Sequence, residues 1–235
     1  MSAVQATNLW KEYGRVVALR SVNVDIDRGE LVAILGPNGA GKSTFIKIVC
    51  GVTRPTRGEI RVLGGDPSDP DIKRRVSIVP QQGGLYLEQT VRENVRFYAE
   101  LYGVEPDEEP FELLEVHEYM DRRVEHLSGG MRKRAAVALA LALRPEILVL
   151  DEPTNELDPT ARQDVIEAVR EYNESGTTVL YVSHDVHEVE QLEPDRVLIF
   201  LEGRKALDEP FDRLMSEHGS VLDAYRSVAA QVAGE

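Results

Sequence analysis

The sequence predicts an α/β fold: a P-loop-type core with a mostly parallel sheet flanked by helices, an N-terminal antiparallel β subdomain and an inserted helical subdomain. Three observations support this prediction. Segments with helical periodicity, such as 164–172, separate the apolar segments of the chain. A glycine-rich loop stands between a strand and a helix near residue 40. Short, continuously apolar runs, typical of strands buried on both faces of a sheet, occur at 31–35, 147–150, 178–182 and 197–201.

The first third of the chain carries the other predicted strands. Residues 3–29 contain short alternating strands at 16–19 and 22–26, and residues 58–63 form another strand. Residues 76–79 are a buried strand that ends at a proline. We expect the alternating strands to form the β subdomain, and we expect Cys50, on the helix after the glycine loop, to be a small buried apolar residue.

The second third is predicted to be mostly helical, from about Thr90 to Leu143, and the tail from Pro210 onward to form one or two amphipathic helices. We therefore expect one domain with four parts. They are the β subdomain with the first part of the core at 1–85, the helical subdomain at 86–143, the rest of the core at 144–205 and a helical tail at 206–235.

Composition limits the possible locations of the protein. No apolar run approaches the ~18 residues that a membrane span needs, and the first residues lack the basic and apolar segments of a secretory signal. The single cysteine excludes an internal disulfide and a cysteine-based metal site. We therefore expect a cytoplasmic protein that does not itself insert into a membrane.

The net charge of −14 opposes binding to nucleic acids, whose phosphates are contacted by clustered Lys and Arg, so we expect no nucleic-acid partner. Among the 27 basic residues, Arg greatly outnumbers Lys. An acidic, arginine-rich surface is typical of proteins from high-salt organisms, where screening weakens repulsion. It also arises from a GC-rich genome, and both origins stay open.

The glycine loop matches the pattern G-x-x-x-x-G-K-[ST] in the strand-loop-helix context that the pattern requires. Glycines let backbone N–H groups surround a phosphate, Lys42 adds positive charge for the outer phosphates, and Ser43 offers a hydroxyl to Mg²⁺. The sequence therefore predicts a site for a nucleoside triphosphate. Its residues are Gly36, Pro37, Asn38, Gly39, Ala40, Gly41, Lys42, Ser43 and Thr44.

Two carboxylates, Asp151 and Glu152, follow the apolar strand 147–150. Acidic groups at the end of a buried strand are costly unless something needs them there. In a P-loop ATPase, Asp151 would hold Mg²⁺ through water, and Glu152 would polarise the water that attacks the γ-phosphate. The alternative is that both carboxylates merely end the strand.

A serine and two glycines, Ser128, Gly129 and Gly130, precede an apolar helix, which suits either a second phosphate site or an ordinary helix start. With the glycine loop and the two carboxylates, this segment resembles the signature loop of ATP-binding-cassette (ABC) transporter subunits, commonly Leu-Ser-Gly-Gly-Gln. Here the fifth residue is Met131. The chain is similar to the nucleotide-binding subunits of that family over nearly its whole length.

Four further positions match motifs of the same family. Gln81 matches the glutamine loop, with Gln82 as a rival for the position. Asp158 matches the acid in the loop after the carboxylate strand, and His184 matches the switch histidine. Tyr13 matches the aromatic residue that stacks on adenine.

The resemblance implies that two such subunits, a homodimer or a pair with a related ATPase subunit, enclose two ATP molecules head to tail. Mg-ATP would close the dimer and hydrolysis would open it, which drives a partner protein. The implied catalytic residues are Glu152, His184, Lys42 and Gln81; the implied Mg²⁺ ligands are Ser43, Gln81 and, through water, Asp151; the implied contacts to the partner's ATP are Ser128, Gly129, Gly130 and Asp158.

Met131 and the basic residues after it resemble the signature of subunits that pair with ABC-2-type exporter permeases. The resemblance implies an integral membrane permease as partner and a peripheral location on the cytoplasmic face of the cell membrane.

Two other functions are compatible with the motifs. One is a non-transport ABC ATPase that drives a membrane complex mechanically or acts on ribosomes or DNA; the single cassette and the acidic charge oppose the ribosome and DNA versions. The other is a regulatory module that binds nucleotide without hydrolysis, which would not need both Glu152 and His184.

Overall fold

Two sheets and the helices that cover them make up the computed structural model, which describes residues 1–233. The strands are β1 (Ser2–Tyr13), β2 (Val16–Asp27), β3 (Leu31–Leu35), β4 (Arg57–Val62), β5 (Val76–Val79), β6 (Ile147–Asp151), β7 (Thr178–Val182), β8 (Arg196–Leu201) and β9 (Arg204–Pro210). The helices are α1 (Lys42–Val49), α2 (Pro70–Lys73), α3 (Val91–Tyr102), α4 (Glu109–Leu113), α5 (Gly129–Ala142), α6 (Pro159–Glu174), α7 (Val186–Leu192), α8 (Phe211–His218) and α9 (Val221–Ala233).

The larger sheet has the strand order β5-β6-β7-β3-β8-β9 among the described residues. Its strand pairs are parallel except for the antiparallel pair β8–β9 at one edge. Since β6, β7 and β3 are neighbours, the loops at their carboxyl ends begin side by side, which is where open α/β sheets bind ligands. This arrangement confirms the predicted α/β fold with a mostly parallel sheet.

The N-terminal sheet is antiparallel, with the order β2-β1-β4, as expected for the β subdomain. The prediction of short separate strands was wrong, because 16–19 and 22–26 belong to the single twelve-residue strand β2. Register shifts interrupt the β1–β2 ladder, and Asn8 and Ser21 adopt positive φ of 49° and 52°. Such bulges let a strand continue past the residues that break its alternation.

Strand β9 is an element that the sequence analysis missed. It forms a hairpin with β8 through Glu202 and Gly203, whose φ values of 48° and 79° suit a tight two-residue turn. The predicted boundary between the core part (144–205) and the helical tail (206–235) therefore falls inside β9, a strand of the larger sheet. Helices α8 and α9 form the predicted tail as far as residue 233, while residues 234–235 of that tail lie outside the described residues.

Apolar side chains fill the layers on both sides of the larger sheet. One cluster joins the sheet to α3, α5 and α6, and a second joins it to α1 and the N-terminal sheet. A third lies between β3, β8 and β9 and the helices α7, α8 and α9. No helix within residues 1–233 is both long and apolar enough to cross a membrane.

Cys50 differs from its prediction, because it caps the C-terminus of α1 and is half-buried rather than fully buried. Its low-dielectric surroundings nevertheless raise the pKa of the thiol to about 12, and the nearby Asp151 carboxylate adds to the shift. The thiol is therefore protonated at neutral pH.

Candidate functional site

The glycine loop runs from the end of β3 to the first turn of α1 and has no space for side chains at two of its glycines. A Cβ on Gly36 would lie 2.3 Å from the carbonyl oxygen of Phe200, and one on Gly41 would lie 2.6 Å from that of Ala18. Gly41 is also the N-cap of α1, with a φ of 104° and no side-chain cap. The first N–H groups of α1 are thus left for an anion.

Lys42 is held inside this loop, with 6% of its surface exposed. Its Nζ donates to the carbonyl oxygens of Gly36 at 2.5 Å and Pro37 at 3.2 Å. Burial lowers the pKa of the ammonium, and the carboxylates of Glu152 and Asp151 oppose that shift. The positive charge is therefore fixed between the loop and the acidic end of β6.

Asp151 ends β6 and is largely buried. Burial raises the pKa of its carboxyl group and Glu152 raises it further, while a hydrogen bond with Ser43 lowers it. A cleft of about 590 Å³ is lined by Ser43, Gln81 and Asp151, among others. Hydroxyl, amide and carboxylate oxygens are the ligands that Mg²⁺ prefers, so the residues present fit this ion.

Glu152 is bonded to three other side chains. Its Oε2 accepts from Nε2 of Gln81 at 2.8 Å and from Nδ2 of Asn155 at 2.6 Å. Its Oε1 lies 3.0 Å from Nδ1 of His184, and the carboxylate accepts, so Nδ1 carries the hydrogen. Its φ of 53° is strained for a residue with a side chain. Of the two rival glutamines, Gln81 is the one that reaches this carboxylate.

The signature segment lies against the loop that follows β6. Ser128 is the N-cap of α5, where its hydroxyl accepts from the N–H of Met131 at 3.2 Å. A Cβ on Gly129 would lie 2.1 Å from Oε2 of Glu156, so the segment and the loop are in close contact there. Asp158 is the N-cap of α6, and the N–H groups of the helix's first turn lower the pKa of its carboxyl group.

Tyr13 is the last residue of β1 and is 47% exposed, so its ring is available for stacking. The Nζ of Lys11 lies 4.9 Å from the ring centroid. Tyr13 pairs with Val16 at the start of β2, and the same strand packs Ala18 against the glycine loop. The hairpin therefore joins the strand end that carries Tyr13 to the strand that contacts the loop.

Sequence reasoning missed two residues that touch this group. Asn155 is one, and it lies in the same loop as Asp158. Lys133 is the other: it is buried on α5 and its Nζ donates to the carbonyl oxygen of Gln81 at 2.9 Å. Burial lowers the pKa of Lys133. The available signal was a lysine three residues after Gly130 at the start of an otherwise alanine- and leucine-rich helix.

Residues 19–155 match the family model described as ABC transporter. The chain is 38% identical over 208 residues to the linearmycin resistance ATP-binding protein LnrL of Bacillus subtilis, covering 85% of this chain and 67% of that protein. It is 37% identical to the Nod factor export ATP-binding protein I of Rhizobium meliloti, covering 86% and 63%. It is 35% identical to the Fe(3+) ions import ATP-binding protein FbpC of Pasteurella multocida, covering 92% and 64%. The match thus spans about two thirds of the length of these relatives.

Solved structures agree with the sequence relatives. An ATP-binding subunit of an ABC transporter superposes with a TM-score of 0.87 at 29% identity, over 97% of this chain and all of that chain. A dimeric ATP-binding cassette in a post-hydrolysis state, bound to ADP and Pi, superposes with a TM-score of 0.76 at 29% identity, over 88% and 98%. The chain belongs to the ABC transporter family and is one of its ATP-binding ATPase domains.

Proposed function

We propose that this chain is the ATP-hydrolysing subunit of a membrane exporter, with Glu152 as the general base. The observation that carries the proposal is the position of the Glu152 carboxylate. It lies beside the glycine loop and Asp151 and is oriented by Gln81, Asn155 and His184.

In this proposal each side chain acts on ATP or on the attacking water. Glu152 accepts the proton of that water, and a general base must reach it directly by a hydrogen bond. His184, bonded to Glu152 through Nδ1, keeps the carboxylate oriented and presents its other ring nitrogen to the γ-phosphate. Lys42 and the N–H groups of α1 stabilise the negative charge on the phosphates, and Tyr13 stacks on adenine.

Mg²⁺ is part of the proposal, with Ser43, Gln81 and, through water, Asp151 as the residues that would hold it. When bound, the ion neutralises charge on the phosphate oxygens. Glu152 accepts from the amide nitrogen of Gln81, which would leave the amide oxygen free to serve as a ligand of the ion. Gln81 would thus contact both the metal ion and the general base.

The proposed active unit is a pair of subunits, either two copies of this chain or one copy with a related ATPase. Ser128, Gly129, Gly130 and Asp158 of one subunit would contact the ATP of the other. The dimeric ADP-bound relative supports such a pair. The N-cap serine and the glycines also suit an anion at the start of α5.

A permease partner and an export direction complete the proposal, together with a peripheral location on the cytoplasmic face of the membrane. The Nod factor relative and the Met131 signature support export, whereas the FbpC relative is named for import. Large apolar side chains beside the glutamine loop and on α3 are exposed by 40–55%, which suits a protein partner. They are Tyr86, Leu87, Phe97 and Leu101.

The test is ATP hydrolysis by the purified chain with Mg²⁺ as a function of protein concentration, beside Glu152→Gln. We expect the wild-type rate to rise with the square of concentration at low concentration, because two subunits must meet. We expect Glu152→Gln to bind ATP, to lose at least about 100-fold in kcat, since the proton acceptor is gone, and to form an ATP-bound dimer that gel filtration detects.

Hydrolysis by Glu152→Gln at the wild-type rate would exclude Glu152 as the base. A wild-type rate linear in concentration would exclude the obligate pair. Co-purification with an integral membrane protein tests the permease separately, since a regulatory module would need no such partner.

A further inference from the structure

One buried carboxylate, that of Glu188, lies outside the proposed catalytic group but bonds residues that are close to it in the chain. Glu188 lies on α7 and is 3% exposed. Its Oε1 accepts from the hydroxyl of Tyr181 at 2.5 Å and from that of Thr154. Its Oε2 accepts from the hydroxyl of Ser183. Three O–H donors therefore converge on one buried acid.

The direction of one of these bonds is fixed by a neighbouring group. The Ser183 oxygen accepts from the N–H of Asp185 at 3.0 Å, so its hydrogen is free to point to Glu188. Burying a charge is costly unless hydrogen bonds replace the lost water, and three hydroxyls supply that replacement. An apolar side chain at this position would leave the same hydroxyls without their acceptor.

Two of the three hydroxyls belong to the loops that carry the proposed general base and the switch histidine, and the third, that of Tyr181, belongs to β7. Thr154 lies two residues after Glu152, and Ser183 immediately precedes His184. The loops meet again above Glu188, where the side chains of Glu152 and His184 are 3.0 Å apart. The Glu188 carboxylate therefore accepts hydrogen bonds from both loops.

Backbone hydrogen bonds join only the first residue of each loop to the sheet, so the residues that follow need another contact to hold them beside each other. The N–H of Glu152 donates to Val182 at 2.9 Å, and that of Ser183 donates to Ile34 at 3.2 Å. Beyond these bonds the chain leaves the sheet, and Glu152 is held at a φ of 53°. A strained conformation persists only where its surroundings fix it.

We propose that Glu188 is a positioning residue that holds Glu152 and His184 in register for hydrolysis. Glu188 acts through the hydroxyls of Thr154 and Ser183 and does not touch the nucleotide. The inference rests on the proposed function, because it assumes that Glu152 and His184 serve the same reaction.

Glu188→Gln tests the inference with little change in shape. The amide offers one acceptor oxygen and one NH₂ group, so at least one hydroxyl faces a donor instead of an acceptor. We expect kcat to fall about tenfold, since small misplacements of catalytic groups are costly. We expect the KM for ATP to stay within about twofold, because the glycine loop is untouched.

Thr154→Val removes the hydroxyl that donates to Glu188 from the loop of Glu152, and we expect it to lower kcat about as much as Glu188→Gln does. Thr154→Ser keeps the hydroxyl and is expected to restore the rate. Glu190→Gln changes another carboxyl group on α7 that bonds the N–H of Val221, and it serves as the control for α7. We expect the Glu190 variant to have the wild-type kcat.

The two proposals fail in distinguishable ways when Glu152→Gln is assayed in the same series. An inactive Glu152→Gln with a wild-type kcat for Glu188→Gln overturns the positioning role alone. An active Glu152→Gln overturns the role of Glu152 itself. A lower melting temperature for Glu188→Gln with unchanged kcat per folded molecule shows a purely structural residue. Should Glu188→Gln fail to fold, Thr154→Val and Thr154→Ser decide.

Discussion

At the scale of single residues, the site depends on groups held in conformations or environments that cost stability. Asp151, Glu152 and Lys42 are each more than nine-tenths buried, and Glu152 adds backbone strain. The motifs identified these residues from their order in the sequence. The sequence could not show that Gln81 rather than Gln82 reaches Glu152, or that Lys133 reaches Gln81. Those contacts depend on how separate loops pack, which spacing does not encode.

Two glycines with positive φ, both outside the proposed catalytic group, predict different costs for the same substitution. A Cβ on Gly51 would lie 1.9 Å from the carbonyl oxygen of Pro67, whereas Gly103 at the end of α3 has open space around it. We expect Gly103→Ala to lower the free energy of unfolding by about 1 kcal/mol through strain alone. We expect Gly51→Ala to cost more than about 3 kcal/mol, because backbone must move. Urea unfolding measures both, and equal costs would contradict the packing at Gly51.

At the scale of elements, strands that are buried on both faces of the sheet are the elements that the sequence predicts most reliably. Strands β3, β5 and β7 have the predicted bounds, because their apolar runs end abruptly at turn residues. Strand β9 was missed because most of its residues are polar or charged, and because it forms only through the turn at Glu202 and Gly203. An edge strand such as β9 forms by pairing with the strand beside it, and this pairing leaves little trace in the hydrophobic periodicity of the sequence.

Strand β9 is tied to β8 by an ion group that makes a pH-dependent prediction. Burial alone would raise the pKa of Asp208, but hydrogen bonds from Arg196 and Lys205 hold it below its usual value. A carboxyl group with a lowered folded-state pKa stabilises the fold above its unfolded-state pKa, and this stabilisation is lost as pH falls through the folded-state pKa. We expect Asp208→Asn to cost about 2 kcal/mol at pH 7, with the difference from wild type shrinking below about pH 4.

The control is Asp71→Asn, which removes an exposed ion pair with Arg74. Exposed pairs contribute little, so its unfolding curve at pH 7 should match that of the wild type. Denaturant unfolding at several pH values measures both variants. A cost for Asp208→Asn that persists unchanged in acid would show that the carboxylate charge is not the cause.

At the scale of the whole molecule, the net charge of −14 acts on stability through repulsion among surface carboxylates. Salt screens charges on exposed surfaces far more than it screens the buried contacts of the core. The fold class could be predicted because it follows from local patterns, and the same patterns name the candidate site residues. The origin of the acidic surface could not, because halophilic adaptation and genome composition leave the same residues in place.

Melting temperature in low salt and in molar KCl tests the halophilic origin. We expect the melting temperature to rise with salt, because the Debye length falls from about 10 Å at 0.1 M to about 3 Å at 1 M. A non-ionic solute at the same osmolality is the control for effects of preferential exclusion. A melting temperature that does not respond to salt contradicts the halophilic origin and favours genome composition.

The half-buried Cys50 has a practical consequence for spectroscopy. Burial raises the pKa of this thiol to about 12, so it stays protonated at neutral pH. Maleimide reagents attack the thiolate, so the native cysteine reacts far more slowly than a cysteine introduced on the surface. Because the sequence contains one cysteine, a fluorophore or spin label can be attached at a chosen exposed position without first removing Cys50. Distances between labelled subunits can then be followed through the ATP cycle in an otherwise native chain.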